Sequence, residues 1–431
     1  MRQTATFTVP TQFRVKLNQW LENHSPVCVL DSNTHTGQCY PEGIEYDLIA
    51  AAGEIASIAP NQQPFEALDA FHEAQKDWLF GYFSYDLKNH LEALTSEKQD
   101  VIQAPEMQFF CPETVIFVKE GSLTIASLGK EPELVFKEID QTIVHTDALQ
   151  LSVKPHPRIS HAQYIRALLS LKHHIQIGDI YEVNFCQEFL ADVNISAPLK
   201  LWNNLIEHSP TPFSAYFQYN HIHLMCASPE RYLKKIGDQL LSQPIKGTAK
   251  RGSTADEDEL IKKELQSSVK ERAENVMIVD LVRNDLSKVA SKNSVQVNEL
   301  CGIYTFPQVH QQISTVSAQM KKNLPLSDAF KSTFPMGSMT GAPKVRAMEL
   351  IEQYESYKRG LYSGAVGYIT PEGDFDFNVI IRSMIYNSSA EQLSFSVGGA
   401  ITSKSNPEHE YEESLLKAKA IREVLSRLDK H

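Results

Sequence analysis

The run YSGAVGYITPEGDFDFNVIIRSMIYN, residues 362–387, holds two strand-like segments with a turn signal, Pro371-Glu-Gly373, between them. Proline presets φ for the first corner of a turn, and glycine supplies the positive φ that other residues take only at a cost. Strands joined by so short a link run antiparallel. Other strand-like runs alternate with helical ones: YEVNFCQEFLADV (181–193), SAYFQYNHIHLMCAS (214–228), TFPQVHQQISTVSAQM (305–320) and SFSVGGAI (394–401). Antiparallel pairing with interspersed helices points to an α+β fold.

Toward the N-terminus, residues 1–150 show shorter strand-like runs such as VCVLDS, WLFGYFSYDL and TVIFVKEGSLTIASL. The segment SVKPHPRIS (152–160) carries two prolines and reads as a connector. Ser160 and Gln163 then form a capping box. Tyr164, Leu168, Leu171 and Ile175 follow at helical spacing until Gly178. This divides the chain near residue 155 into an N-terminal region, 1–150, and a second region, 155–431. Further helices are expected over about 256–285, opening at Pro343, and at the C-terminal end. No fixed-period repeat stands out.

Composition excludes several classes of partner. The 431 residues are 42% hydrophobic and carry a formal net charge of -12 without a basic block, which disfavours a nucleic-acid or anionic-membrane surface. No long uninterrupted apolar run and no secretory signal pattern is present, so a cytoplasmic protein is expected. The six cysteines (Cys28, Cys39, Cys111, Cys186, Cys226, Cys301) are scattered, with no C-x-x-C, as suits free thiols in a reducing compartment. None lies in a G-x-C-x-G nucleophile elbow; Gly37-Gln-Cys39-Tyr-Pro41 lacks the second glycine. A glutaminase site within the chain is therefore not expected.

Several constellations can carry chemistry. Glu271 and Glu274 in KERAENVMIVDL, and Glu410 and Glu413 in EHEYEESLLKAK, are each three apart, so on a helix each pair shares a face. Brought together they make an oxygen-only site for Mg²⁺; exposed glutamate pairs on solvated faces are the bland alternative. GSMTGAPKVRAMELI is a Gly- and hydroxyl-rich turn feeding a helix, a place for an anion, but it lacks the order of a Walker A loop. Arg382 is the one charge in NVIIRSMIY, and its partner is either a structural carboxylate or a ligand. His310 in PQVHQQIS reads as a hydrogen-bonded core histidine. Glu230 in CASPERYL is either a general acid of raised pKa or a partner of Arg231. Lys246 in SQPIKGTAKRG (242–252) is an ordinary lysine unless burial or a cation, such as Lys250 or Arg251, leaves its amine neutral for attack.

Taken in order, ASPERYL, PIKGTAKRG, ENVMIVDLVRNDL, FPMGSMTGAPKVRAMELIE, RGLYSGAVGYI, NVIIRSM, GGAI and E-x-x-E-x-x-x-K resemble the signature of the chorismate-utilising enzymes. The resemblance spans residues 155–425 and is looser over 1–150. It implies two large antiparallel β-sheets packed orthogonally with helices outside, and an Mg²⁺-dependent reaction on chorismate. By position, Glu274 and Glu413 match the direct or water-bridged metal ligands, supported by Glu271 and Glu410. Ser338 lies in the turn that helps hold the ring carboxylate. Thr248, Tyr362, Arg382, the Gly398-Gly399-Ala400 turn and Lys417 match substrate-binding positions. Glu230 corresponds to the general acid and His310 to the active-site histidine.

Family members divide by product, and the motif around Lys246 bears on the division. Anthranilate synthases usually read PIAGT there, whereas a lysine resembles component I of the aminodeoxychorismate synthases. The resemblance implies that the amine attacks ring C2, after which ammonia adds at C4 and expels the lysine. Ammonia is then expected from a separate glutaminase subunit. Isochorismate and salicylate synthases place a lysine base where this chain has Glu182, which argues against water as nucleophile; relatives of the present type often carry glutamine there. Ala400 stands where glycine is common. Anthranilate synthase component I, a subunit serving both routes, and a non-catalytic ligand-binding subunit are the competing expectations. VCVLDSN (27–33) resembles a region that binds tryptophan in relatives.

Overall fold

The computed structural model describes residues 2–33, 43–144 and 151–426; Cys39 and its flanking Gly37–Pro41 segment lie outside them. Two antiparallel sheets of twelve and ten strands carry the fold. The expected hairpin is present: Ala365–Ile369 pairs with Phe375–Asn378, Ile369 opposite Phe375, around Pro371-Glu-Gly373. The chain then leaves that sheet. Ser383–Asn387 belongs to the twelve-stranded one, between Ile222–Ser228 and Gln392–Ile401.

Why some strands read as unbroken apolar runs is clear from their two faces. In Leu48–Ala52, Ile49 and Ala51 enter the core between the sheets, while Leu48, Ala50 and Ala52 face the outer core. The outer core is covered by helices Phe13–Leu21, Pro198–His208 and Lys419–Ser426, so both faces are dry and alternation disappears. The inner core is aromatic: Phe83, Phe330, Phe375 and Phe377 pack with ring centroids 4.6–6.0 Å apart.

Strands from before and after residue 155 are interleaved in both sheets. Leu79–Phe83 lies between Met107–Cys111 and Ala365–Ile369, and Val27–Asp31 lies beside Phe213–Tyr219. The two regions thus share their cores. The helix expected over 256–285 is two helices, Ala255–Ser267 and Val269–Val289. Ser268 is non-helical and its side chain caps the second through the Glu271 N–H. The Ser160–Gln163 capping box forms as expected. Pro343 is the N-cap of Lys344–Tyr354 and not its first helical residue.

Candidate functional site

Strand Glu182–Asp192 organises the site. Its side chains alternate, so Glu182, Asn184 and Cys186 share one face while Val183 and Phe185 pack into a core with Tyr164, Leu168 and Ile351. Glu182 Oε1 accepts from Lys246 Nζ at 3.0 Å, Asn184 donates to the Ser338 carbonyl at 3.2 Å, and Cys186 Sγ lies 3.6 Å from the Tyr362 hydroxyl. On one side, Val183 pairs with Gly341 of the GSMTG turn; on the other, Asn184, Phe185 and Cys186 pair with Ala400, Gly399 and Gly398. The GSMTG turn and the GGAI segment therefore flank this strand; GGAI is not the expected turn but the end of strand Gln392–Ile401, held extended by its in-register pairing. The polar–apolar alternation of EVNFC was the signal for Asn184 and Cys186, which sequence reasoning passed over.

Lys246 lies on the edge strand Ile245–Lys250 of the ten-stranded sheet, and its side chain is only 10% exposed. Gly247 beside it has φ +83°, and a Cβ there would sit 3.1 Å from Glu271 Oε2 and 3.3 Å from Leu265 Cδ1. Glycine thus lets the strand press against helices Ala255–Ser267 and Val269–Val289, the second of which carries Glu271 and Glu274. Burial alone would lower the Lys246 pKa, but the bonded Glu182 carboxylate and the charges of Glu274 and Glu230 outweigh it and hold the amine charged. Of the two cations the sequence suggested, Arg251 is turned to Asp258 and to the Phe306 carbonyl, and the charges that act most on Lys246 are carboxylates.

Glu230 is buried, and burial pushes its pKa up to about 7, against the pull of the Ser338 hydroxyl, Lys246, the Ile245 N–H and Arg382. A carboxyl group poised there has the proton of a general acid. The alternative pairing with Arg231 does not form. Arg231 points the other way, into a two-bond contact with Asp376 at 2.9 Å each and to Gln243 at 2.5 Å. Arg382 sits where the chain passes between the sheets, with φ +51°, a backbone conformation that costs a non-glycine residue free energy and clusters at functional sites. Among the described residues no hydrogen bond or ion pair satisfies its guanidinium; Glu230 is the charge that acts on it. Of the two partners open to it from sequence, an anionic ligand is the one this geometry accommodates.

The four glutamates come from helices Val269–Val289 and Pro407–Lys417. Lys270 feels all of Glu274, Glu410, Glu271 and Glu413, which together hold it charged despite its partial burial. The two helices therefore turn their acidic faces toward each other. Burial pushes Glu274 up to about 7 although Lys246 and Lys270 oppose it, and burial raises Glu410 as well. Burial acts on Glu413 too, but Lys417 and Lys270 hold it below its usual range. Gly399 keeps the space between open: a Cβ there would lie 3.4 Å from Lys417 Nζ, 3.5 Å from Glu410 Oε2 and 3.9 Å from Glu413 Oε1. Lys417 ties the acidic helix to the GGAI end of strand Gln392–Ile401, donating to the Gly398 carbonyl at 2.8 Å and pairing with Glu413 at 2.9 Å.

Do these residues fit Mg²⁺? No three metal-binding side chains among the described residues converge into a ready-made cage. The donors are nonetheless all hard oxygens, and Glu274 Oε1 is buried with no hydrogen-bond partner. That suits an ion that takes one or two carboxylates and completes its shell with water and substrate oxygens.

His310 is buried with both ring nitrogens engaged, by Thr305 Oγ1 at 3.0 Å and Asp258 Oδ1 at 2.9 Å. It stands opposite Ala249, one step from the Thr248–Gln311 pair along the same edge strand. The Arg359–Glu355 pair escaped sequence reasoning. Arg359 is 1% exposed and uses all five N–H groups: two to Glu355 (2.8 and 2.6 Å), two to the carbonyls of Met339 (2.8 Å) and Asn184 (2.9 Å), and one to Ser363 Oγ (3.3 Å). Glu355 in turn accepts from the Cys186 N–H at 2.8 Å. This pair fixes the GSMTG turn to strand Glu182–Asp192. Away from these residues, strand Val27–Asp31 helps line a small recess of about 50 Å³ with Ile49, Phe213 and Tyr368; none of its lining residues belongs to the Glu230–Lys246 cluster.

The family model described as chorismate binding enzyme matches residues 25–423. Aminodeoxychorismate synthase component 1 of Bacillus subtilis is 33% identical over 360 residues, 80% of this chain and 76% of that protein. The chloroplastic aminodeoxychorismate synthase of Arabidopsis thaliana is 34% identical over 394 residues, 85% of this chain, which spans only 42% of that protein's length. Among solved structures, anthranilate synthase component I from Streptococcus pneumoniae superposes with a TM-score of 0.77 at 26% identity, covering 90% of this chain and 95% of that one. No helix among the described residues is long and apolar enough to cross a membrane.

Proposed function

The chain belongs to the chorismate binding enzyme family, and from that premise we propose that it aminates chorismate to 4-amino-4-deoxychorismate through an intermediate held on Lys246. The observation that carries this reading is the inward-facing Lys246 amine, bonded to Glu182 and within the electrostatic reach of Glu230 and Glu274. Arg382, Tyr362 and the backbone of Gly398–Ala400 bind the enolpyruvyl carboxylate in this reading, with Thr248 and Lys417 as further substrate contacts. Glu274 and Glu413, supported by Glu271 and Glu410, would hold Mg²⁺, and Ser338 lies on the ring-carboxylate side. When bound, the ion supplies positive charge that anchors that carboxylate.

The residues divide the work as follows. Lys246 attacks C2 as the C4 hydroxyl departs, and Glu230 gives that hydroxyl its proton. Ammonia, delivered by a separate glutaminase subunit, adds at C4 and releases the lysine. Splitting one displacement into two is what a nucleophile accomplishes here. His310, fixed by Asp258, stays in the reading as an active-site histidine at the rim of the Lys246 strand. Tryptophan is the ligand we assign to the recess beside Val27–Asp31, and titration calorimetry without binding heat removes it.

The test is the product. With chorismate, Mg²⁺ and ammonium, 4-amino-4-deoxychorismate is expected; immediate anthranilate fluorescence without an added lyase overturns the reading in favour of anthranilate synthesis. No chorismate consumption at all would favour a ligand-binding subunit. The role of Glu230 has its own signature. The acid form is active, and its fraction falls as pH rises through about 7, so kcat/KM for chorismate should hold below that pH and decline above it. Glu230→Gln should lower the rate by about 10²-fold and remove the decline.

A further inference from the structure

We propose that Glu182 is the base that takes the proton Lys246 must lose before its amine can attack the ring, an assignment that rests on the lysine-bound reading above. Lys246 is at rest an ammonium, which has no lone pair to offer. Among the described residues Glu182 Oε1, at 3.0 Å, is the one hydrogen-bond acceptor on Nζ. Glu182 is 1% exposed, and its second oxygen, Oε2, is buried with no hydrogen-bond partner. A carboxylate whose task was only to neutralise Lys246 would be expected to have both oxygens satisfied, because an unpartnered buried oxygen costs free energy. Its backbone is also fixed, paired in register with Ala342, the residue that follows the GSMTG turn. The base is thus held by a strand and not by a mobile loop.

The protons balance. One moves from Nζ to Glu182 as the N–C2 bond forms and both ring double bonds shift, C1=C2 to C1=C6 and C5=C6 to C4=C5, to expel the C4 hydroxyl. Glu230 gives that hydroxyl the proton with which it leaves as water. Nζ is then a secondary ammonium on C2. When ammonia bonds to C4 the N–C2 bond breaks, and lysine leaves as the neutral amine. The new C4 ammonium returns a proton to Glu230, and Glu182 returns its own to Lys246, restoring the starting ion pair. No oxidant, reductant or further reactant is required.

Glu182→Gln keeps the shape and a hydrogen bond to Nζ but cannot accept the proton. The experiment mixes protein with chorismate and Mg²⁺, without ammonia, quenches at short times and follows the Lys246 adduct by mass spectrometry. Wild type is expected to form it, Glu182→Gln to form it about 10²-fold more slowly, and Glu182→Asp, which keeps a carboxylate, to recover about tenfold of that loss. Chorismate affinity by equilibrium dialysis and the thermal midpoint should stay close to wild type in both variants. An adduct formed by Glu182→Gln at the wild-type rate overturns the Glu182 assignment and leaves the lysine route standing. A Glu182→Asp no faster than Glu182→Gln, with affinity lost in both, makes the residue structural and also overturns it. Wild type forming no adduct overturns the lysine route and the base together.

Discussion

Replacing Lys246 with alanine is expected to lower ammonium-dependent turnover of chorismate by about 10³-fold or more, because a whole covalent route is lost and not one contact along it. The same variant should show no adduct by mass spectrometry. Two consequences of the change have to be separated. Alanine removes the nucleophile, and it also removes the positive charge that Glu182, Glu230 and Glu274 share. Lys246→Arg separates them: arginine keeps the charge but cannot deprotonate in a protein, so it should fold like wild type and be as inactive as alanine. If Lys246→Ala keeps more than about a tenth of the wild-type rate with ammonium, the amine is not the nucleophile and ammonia attacks directly.

The largest effect on stability is expected at Arg359. Arg359→Ala leaves the Glu355 carboxylate charged, 1% exposed and without its partner, and should cost about 3–5 kcal/mol in urea unfolding. Replacing both residues by leucine should return most of that loss, since neither buried charge then lacks compensation. Activity should not return with it. The Met339 and Asn184 carbonyls that Arg359 binds would be released, and with them the approach of the GSMTG turn to strand Glu182–Asp192. A double-leucine protein both stable and fully active would refute the positioning role.

These effects show which parts of the molecule were legible in the sequence. The hairpin at Pro371–Gly373, the Ser160 cap and the paired glutamates are local patterns, each written in a few consecutive residues, and each is present. The sheets are not local. Nothing in WLFGYFSYDL says that Leu79–Phe83 will neighbour a strand almost 290 residues later, because an apolar strand with both faces buried fits many neighbours equally well. The split at Ser268 was hidden because serine is neutral enough to pass inside a helix until its capping bond is seen. Arg382 illustrates a different limit. Its sequence context announced a charge in an apolar run, but only the fold could show that, among the described residues, Glu230 acts on it without forming an ion pair with it. Glu182 stood out in GDIYEVNF, but its partner Lys246 lies 64 residues away and is brought to it only by the fold.

The interleaved sheets also set a timetable for synthesis. Leu79–Phe83 emerges from the ribosome long before Ala365–Ile369, the strand that will cover its second edge, and Val27–Asp31 must wait for Phe213–Tyr219. Until then the nascent N-terminal third presents unpaired strand edges and an aromatic face with no opposite sheet, the condition under which chains pair with the wrong neighbour. Contacts of such long sequence separation also make for slow closure. A protein built this way matures as one unit after translation is nearly complete, and fragments ending before residue 365 should need a chaperone to stay dispersed.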